Sequence, residues 1–239
     1  MIEPLIRQLS QRDQLTDDER KQLAGAFTGR RVVSAGQEIV SDGSRPLFSQ
    51  LLVSGIAGRQ KILADGSRQI TAIHVPGDFM DLHGFLLKRL AHGVVAISTC
   101  TLLEVTHETL RRITETSPHL TRMLWLDTLI DGSVHREWIV AMGRRSALAQ
   151  ISHFVCEVFV RLRIVGLTKE FRFTLPMTQS QLADALGLSI VHVNRNLQSL
   201  RRRGALSWEG DQVEILDWDA LVTVSEFDPT YLCMEMEPR

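Results

Sequence analysis

The spacing of apolar residues separates a β-prone region from the helical segments on either side of it. Apolar positions recur at helical spacing over residues 4–28, whereas residues 31–106 consist of short β-prone runs separated by glycines. Within this region, the segment IAGRQKILADGSRQITAIHV predicts a hairpin in which Asp65 and Gly66 supply the positive φ angles of a tight turn. The pattern therefore predicts a small antiparallel β domain, either a roll or a barrel.

A long helix is predicted after the β domain. A short helix over residues 107–116 precedes Pro118, which opens a helix of about 26 residues that reaches Gly143. Its apolar positions lie on more than one face; they are Leu120, Met123, Leu124, Leu126, Leu129, Ile130, Val134, Trp138 and Met142. Such wide coverage favours a helix that packs both on its own β domain and against a second copy of itself. A helix buried inside a monomer is the alternative.

Two further elements are predicted before the most informative part of the chain. Residues 146–165 have the pattern of an amphipathic helix. Residues 170–175 alternate as a strand, with Phe171, Phe173 and Leu175 on one face. We therefore expect the C-terminal part to begin with a helix and a short strand.

The stretch MTQSQLADALGLSIVHVNRNLQSLRRRGAL, residues 177–206, has the spacing of a DNA-binding helix-turn-helix. Thr178 and the glutamine three positions on form a capping box that starts a first helix. Ala183 allows a close helix crossing, Gly187 permits a left-handed turn, and Val193 fills the shared core. This combination predicts a helix-turn-helix rather than a generic helical hairpin. The following ALSWEGDQVEIL alternates about a central glycine and predicts a β-hairpin wing.

The exposed side of the second helix is predicted to enter the major groove, led by its N-terminal residues. The predicted base-reading residues are Ile190, Val191, Asn194 and Arg195. Arg195 is the strongest candidate, because arginine can bind guanine O6 and N7 with two hydrogen bonds; a phosphate contact is the alternative. The predicted phosphate-binding residues are Thr178, Gln179, Ser189 and His192.

Charge is unevenly distributed along a chain whose net charge is −1. Residues 1–143 are net neutral, residues 144–210 carry +6 and residues 211–239 carry −7. A basic block that contains the helix-turn-helix is typical of a protein that binds a polyanion. The acidic tail, residues 226–239, is predicted to be disordered or to pack back on a basic face.

Cysteine spacing, hydropathy and short motifs argue against other classes of protein. The cysteines Cys100, Cys156 and Cys233 lie more than fifty residues apart, which predicts neither a metal site nor a disulfide framework. No apolar run approaches the roughly 20 residues of a membrane span, and the N-terminus lacks the apolar core of a signal peptide. We therefore expect a cytoplasmic protein with no membrane contact. No P-loop, G-x-S-x-G or H-E-x-x-H motif is present, so no enzymatic activity is predicted.

The motifs above closely resemble those of the Crp/Fnr family of bacterial regulators. The resemblance rests on TQSQLADALGLSIVHVNRNLQSLRRRGAL and, more loosely, on LLVSGIAGRQKILADGSRQITAIHVPGDFMDL; it covers roughly residues 15–225. It implies a cyclic-nucleotide-binding-type β-roll, a long dimerisation helix and a winged helix-turn-helix. It also implies a homodimer that binds a two-fold symmetric operator.

The same resemblance implies an effector pocket, here formed by Gly77, Asp78, Phe79, Asp81, Leu82, His83 and His92. Leu82 stands where cyclic-AMP-binding relatives carry a ribose-binding glutamate, and no arginine follows to neutralise the cyclic phosphate. These departures argue against cyclic AMP. The absence of cysteine before Cys100 excludes a four-cysteine iron–sulfur cluster, and the histidine spacings match no haem-ligand motif. No cofactor is therefore predicted.

Together these features predict an α+β protein. Its predicted parts are an antiparallel β-roll sensor (a cyclic-nucleotide-binding-like jelly roll) over 1–116, a dimerisation helix over 117–143, a winged helix-turn-helix over 144–225 and the tail. The predicted function is transcription regulation by a homodimer on double-stranded DNA, with an unidentified small-molecule effector or none. An activator would also contact RNA polymerase. The alternative is an adaptor or ligand-binding protein that keeps the fold without recognising DNA.

Overall fold

The computed structural model describes all residues from Met1 to Arg239. The helices are α1 Glu3–Ser10, α2 Asp17–Ala26, α3 Gly84–Leu87, α4 His107–Thr116, α5 Pro118–Arg144, α6 Ala147–Ile164, α7 Gln179–Leu186, α8 Ile190–Arg202 and α9 Trp218–Ser225, followed by a 3-10 turn Pro229–Leu232. The strands are β1 Gly29–Val33, β2 Glu38–Val40, β3 Phe48–Ser54, β4 Ala57–Ile62, β5 Arg68–His74, β6 Gly93–Ala96, β7 Cys100–Thr106, β8 Thr168–Lys169, β9 Arg172–Thr174, β10 Leu206–Glu209 and β11 Gln212–Ile215.

The predicted β domain is an antiparallel roll of two facing sheets. One sheet has the order β1-β7-β3 and the other β2-β6-β4-β5. Eleven buried apolar residues, among them Leu52, Met80, Val94 and Leu102, fill the space between the sheets. The α+β class and the β-roll predicted from the sequence are thereby confirmed.

In the N-terminal half, one local prediction is confirmed and another needs correction. The helical residues predicted over 4–28 form two helices: α1 ends at Ser10, and Thr16 caps α2 through a capping box with Glu19, as the Thr-x-x-Glu spacing of the sequence indicates. In the β4–β5 hairpin only Gly66 has a positive φ, of 82°. Asp65 instead accepts hydrogen bonds from Ser67, which closes a loop longer than the predicted two-residue turn.

The long helix α5 buries one face and exposes another. Its buried side chains are Leu120, Met123, Leu124, Ile130, Val134, Trp138 and Ala141. Its exposed apolar side chains are Trp125, Leu129, Ile139, Val140 and Met142. The apolar residues thus occupy more than one face, as predicted, and one of those faces has no partner within the chain.

The strand predicted over residues 170–175 is shorter in the structure. Glu170 adopts a positive φ of 53° in the turn between β8 and β9, so the strand begins only at Arg172. Phe173 and Leu175 are buried as predicted, but Phe171 is 44% exposed and stacks on Phe159. Phe171 therefore lies in the turn and does not belong to the alternating face.

The C-terminal domain packs on the sensor through one continuous apolar core. This core joins the outer face of β4, β5 and β6 to α6 and the helix-turn-helix; Ile70 and Ile73 contribute from the sensor, and Phe154 and Leu182 from the C-terminal part. The hairpin strand β5 lies directly against α7, where the Arg68 guanidinium pairs with Asp184 at 2.6 Å. The helix-turn-helix is therefore held against the β4–β5 hairpin.

The acidic tail is ordered against the first half of the chain. The backbone N–H of Glu237 donates to the carbonyl of Arg12 at 2.9 Å, and Gln11 donates to the carbonyl of Met234 at 2.9 Å. Tyr231 reaches α6 and Leu232 is buried. The tail thus packs against the turn after α1 and against α5 and α6, and it is not disordered.

Candidate nucleic-acid interface and sensor pocket

The helix-turn-helix is formed by the local signals that its sequence carries. Thr178 accepts a hydrogen bond from the backbone of Gln181, whose side chain accepts in return from the backbone of Thr178. Gly187 ends α7 with a φ of 65°, and Ser189 caps α8 by accepting from the backbone of His192. Caps at both helix starts and a left-handed glycine between them fix the turn. The predicted helix boundaries are confirmed.

The two helices share a small apolar core. Leu182, Ala183 and Leu186 of α7 and Val193 and Leu200 of α8 are all buried. The opposite side of α8 faces solvent. This division orients α8, so that its N-terminal half presents a free surface.

The four predicted base-reading residues lie on that free surface. Val191 is 73% exposed and Ile190 is 52% exposed, and Asn194 and Arg195 are also exposed. The Arg195 guanidinium makes no hydrogen bond or ion pair within the chain, in contrast to Arg201, which donates to the carbonyl of Trp208 in the wing. Arg195 can therefore present all its donors to a ligand.

The predicted phosphate-binding residues surround the same surface. Thr178, Gln179, Ser189 and His192 are exposed at the N-terminal ends of α7 and α8. Helix N-termini direct unpaired backbone N–H groups outward and favour anions. The four residues therefore lie where phosphate oxygens can be bound.

An amide chain across the two helices was not predicted from the sequence. The Asn194 amide donates to Gln179 at 3.1 Å and accepts from Gln198 at 2.8 Å. Gln198 lies one helical turn after Asn194, a spacing that predicts contact between their side chains. The contact of Asn194 with Gln179 cannot be predicted from this spacing, because it depends on the packing of α7 against α8. These two hydrogen bonds hold the plane of the Asn194 amide in one orientation.

The predicted effector-pocket residues separate into two groups. Asp78 and Phe79 border a cavity between the sensor, α5 and α6. The cavity is not bordered by Asp81, Leu82, His83 or His92. Gly77 does not border it either, and forms the turn before Asp78 with a φ of 103°. The seven residues therefore do not line one common cavity.

A charged cluster that the sequence did not predict occupies the interior of the roll. Arg59 of β4 is buried; its guanidinium pairs with Asp131 of α5 at 2.9 Å and contacts His135 at 3.1 Å. His83 and His92 lie nearby, with their Nε2 atoms 3.3 Å apart. The signal that could have found Arg59 is its place two residues from Ala57 on the inward face of the strand.

Burial dominates the titration of this region. Loss of solvation raises the pKa of Asp81 to about 7, against hydrogen bonding from the backbone of Gln50. Loss of solvation, aided by the positive charge of Arg59, lowers the pKa of His83 and of His92 to about 4. Both histidines are therefore neutral near pH 7.

These residues do not fit a cyclic nucleotide. Leu82 packs against the apolar core of the sensor, where a ribose would need a hydrogen-bond acceptor. The arginine nearest to the roll interior, Arg59, already has its charge neutralised by Asp131. No group of three or more His, Cys, Asp or Glu side chains is placed to hold a metal ion.

A second charged group joins the sensor to the C-terminal domain, and we call it the junction. Arg161 of α6 pairs with Asp78 of the sensor at 2.6 Å and with Glu157 at 3.2 Å. Glu157, which is fully buried, also accepts from the Tyr231 hydroxyl at 2.8 Å and from the Trp138 indole at 3.1 Å. The junction thus connects the effector-pocket turn, the long helix, the DNA-binding domain and the tail.

Comparison with known proteins agrees with both parts of the fold. Residues 30–117 match the model of the cyclic nucleotide-binding domain, and residues 151–224 match that of the Crp-like helix-turn-helix domain. None of the helices is both long and apolar enough to cross a membrane. The fold and the exposed α8 surface therefore define a DNA-binding transcription regulator that carries a domain of the cyclic nucleotide-binding type.

Similar proteins place the chain in one family. It is 30% identical to the nitrogen fixation regulation protein FixK of Bradyrhizobium diazoefficiens, over 79% of each chain. It is 28% identical to the transcriptional activator protein FnrL of Cereibacter sphaeroides, over 75% of this chain and 73% of the relative. The structure of FixK2 from Bradyrhizobium japonicum superposes with a TM-score of 0.74 at 24% identity, over 82% of this chain and 96% of that one. The chain belongs to the Crp/Fnr family.

Proposed function

We propose that this regulator acts as a homodimer that reads a two-fold symmetric operator through α8. The observation that carries this is the exposed, unpaired guanidinium of Arg195, flanked by the exposed apolar side chains of Ile190 and Val191. Arginine reads guanine through two acceptors in the major groove, and apolar groups contact the thymine methyl. Arg195, Ile190, Val191 and Asn194 are therefore the proposed base readers.

Asn194 reads its base in an orientation set by its neighbours. An asparagine amide binds adenine by donating to N7 and accepting from the N6 amino group. Gln179 and Gln198 each use one hydrogen-bonding position of Asn194 and leave one donor and one acceptor position free. Thr178, Gln179, Ser189 and His192 then position the helix by contacting phosphates.

The exposed stripe of α5 supports the homodimer. Trp125, Leu129 and Ile139 are 51–65% exposed, and Gly132 and Gly143 lie on the same stripe. The positions of this stripe alternate in steps of four and three residues, and Arg136 occupies the position between Gly132 and Ile139. This spacing is that of a left-handed coiled coil, and the glycines allow close approach of a second helix. Each protomer would contribute one recognition helix to one half-site of the operator.

We assign control of DNA binding to the sensor, which would bind a small molecule other than a cyclic nucleotide. The alternative is that the protein has no effector. The junction provides the contact through which a change in the sensor would reach α6. FnrL is named as a transcriptional activator, which favours activation and, with it, a contact with RNA polymerase.

The test is selection of duplex DNA from a random pool, followed by binding of the selected duplex at several salt concentrations. We expect an inverted repeat, and an affinity that falls steeply as salt rises because each phosphate contact releases counterions. Absence of salt-dependent binding to any duplex would favour the adaptor alternative.

The dimer is tested separately by replacing one residue of the exposed stripe. Leu129→Asp is expected to give a monomer in sedimentation velocity, because a carboxylate would be buried between the helices. The control is Val32→Asp, since Val32 is 60% exposed on β1 and lies outside the stripe. A Leu129→Asp protein with the same mass as the parent would contradict the proposed interface.

A further inference from the structure

A cavity lies where the sensor, the long helix and the DNA-binding domain meet. Its volume is about 40 Å³. Its polar lining comes from Gln8 of α1, Arg12 of the turn after α1, His74 of β5, Asp78 of the turn after β5, Asp127 and Asp131 of α5, and Arg161 of α6. One water needs roughly 10–15 Å³ of such space. The cavity therefore holds about three waters or one planar molecule of three or four heavy atoms.

The Arg12 side chain faces this cavity without a direct ion-pair partner, and Asp127 is the carboxylate that acts most strongly on its charge. Arg12 is 4% exposed, and its only side-chain hydrogen bond is the one from Nη1 to the carbonyl of Gln8, at 2.7 Å. Its Nε is buried without a partner, and no carboxylate forms an ion pair with it. Buried arginines are normally paired with an anion, because the charge loses its hydration.

The other arginine at the cavity already has carboxylate partners. Arg161 is paired with Asp78 and Glu157 in the junction, and Asp131 is paired with Arg59. Asp127 receives one hydrogen bond, from Gln8 at 2.9 Å, and its burial raises its pKa to about 7. Arg12 is therefore the cation at this cavity that lacks a counter-ion whenever Asp127 is protonated.

A second unpartnered group points to the same occupant. His74 is 2% exposed, and its Nε2 is buried without a hydrogen-bond partner. Burial, together with the nearby charge of Arg59, holds the pKa of His74 well below its usual value, so the ring is neutral and one of its nitrogens can carry a proton to donate. Arg12 and His74 thus offer donors, and a protonated Asp127 offers a third.

We propose that this cavity is a binding site for one small planar oxyanion, of the size of formate, nitrate or acetate. Arg12 supplies the charge, and His74 with protonated Asp127 supplies further hydrogen bonds. The site is separate from the roll interior, because neither His83 nor His92 borders it. Since the sensor and α6 both line the site, a bound anion would change how the two domains pack against each other. This regulatory role rests on the proposed function.

The test is thermal unfolding of the full chain with sodium formate, acetate or nitrate replacing sodium chloride at constant ionic strength. We expect at least one of the three to raise the Tm of the parent protein saturably. Arg12→Met is expected to abolish the rise, whereas Arg7→Met, at an exposed position of α1, is expected to retain it. No saturable rise with any of the three salts, or an equal rise in Arg12→Met, would overturn the site.

A second variant keeps the site testable if Arg12→Met does not fold. Asp127 is faced by Arg12 of the turn after α1, His74 and Asp78 of the sensor, Asp131 of its own helix and Arg161 of α6. Anion binding to the parent is expected to weaken about tenfold from pH 6 to pH 8, because Asp127 loses its proton over that range. Asp127→Asn keeps a donor and carries no charge, so its affinity should be equal at both pH values. A parent affinity that is independent of pH would overturn the role of Asp127.

Neither measurement uses DNA, so a negative result leaves the proposed function untouched. The regulatory role is tested by the affinity for the selected duplex with and without acetate at constant ionic strength. The regulatory role is supported if acetate changes the affinity for DNA and Arg12→Met removes that change. Equal affinities with and without acetate would overturn the regulatory role.

Discussion

The α8 surface and the junction both contain hydrogen-bonded polar side chains, but these contacts depend on different parts of the chain. At the α8 surface, Asn194 contacts a residue 15 positions away and Ser189 contacts one three positions away. At the junction, Arg161 contacts a residue 83 positions away and Glu157 contacts one 74 positions away. Local sequence therefore determines the first set of contacts, and the tertiary fold determines the second.

This difference has a consequence for what each region tolerates. An exposed polar side chain remains hydrated, so its replacement changes the stability of the fold little. The replacement instead lowers the affinity for the ligand that the side chain contacts. A buried charge depends on its partner for the interactions that water would otherwise provide. We therefore expect junction variants to change folding and α8 variants to change recognition.

The largest expected effect is on the junction. Arg161→Ala leaves the buried carboxylates of Asp78 and Glu157 without their cation, and we expect a loss of about 3–5 kcal/mol in the free energy of unfolding by urea. The control is Arg172→Ala, which removes an exposed ion pair with Glu214 and should change the urea midpoint little. Equal losses in the two variants would contradict the distinction between buried and exposed charge.

The next effect is on recognition by α8. Arg195→Ala should weaken binding to the selected duplex by about 1–3 kcal/mol, and should leave the urea midpoint near that of the parent. Fluorescence anisotropy with the selected and a scrambled duplex measures both affinities. Arg202→Ala, further along the same helix, should weaken both duplexes alike. If Arg195→Ala also weakens both alike, Arg195 contacts phosphate and does not read a base.

A smaller effect is expected at the start of α7. Thr178→Ala removes the capping hydrogen bond to Gln181 and should lower the free energy of unfolding by about 1 kcal/mol. Thr178→Ser restores the hydroxyl and should recover most of the loss. If serine is as destabilising as alanine in urea unfolding, the methyl group rather than the cap stabilises this helix end.

The smallest effect concerns the contact between the β4–β5 hairpin and α7. A double-mutant cycle of Arg68→Ala and Asp184→Ala should give a coupling of about 0.5–1 kcal/mol, because both side chains are partly exposed. Lys61→Ala, on the same hairpin but paired with Asp42, should show no coupling to Asp184. A coupling near zero for Arg68 would indicate that α7 does not rest on the hairpin in solution.

The accuracy of the sequence predictions follows the same division. The cap at Thr178, the glycine turn at Gly187 and the roll punctuated by glycines were all predicted, because each depends on neighbours within a few residues. The strand assigned to Phe171 and the two-residue turn at Asp65 were wrong, because the neighbouring residues gave no sign of the turn at Glu170 or of the wider loop closed by Ser67.

The candidate sites show the limit more clearly. His83 and His92 were predicted as pocket residues, and their Nε2 atoms do lie 3.3 Å apart. The sequence did not predict a role for Arg59, Asp131 or Arg12. An arginine in a strand or on an amphipathic helix is usually solvated. The one local signal, the position of Arg59 two residues from the inward-facing Ala57, does not indicate the distant carboxylate that allows its burial.

The sequence by itself determined the order of the elements, the helix-turn-helix and the family, since capping, periodicity and glycine placement act over a few residues. The tertiary structure alone decided which charges are buried, how they pair and where Arg12 is left without a partner. The physical reason is that the energy of a charge depends on its solvation and on groups within a few ångströms in space, which can lie a hundred residues away along the chain.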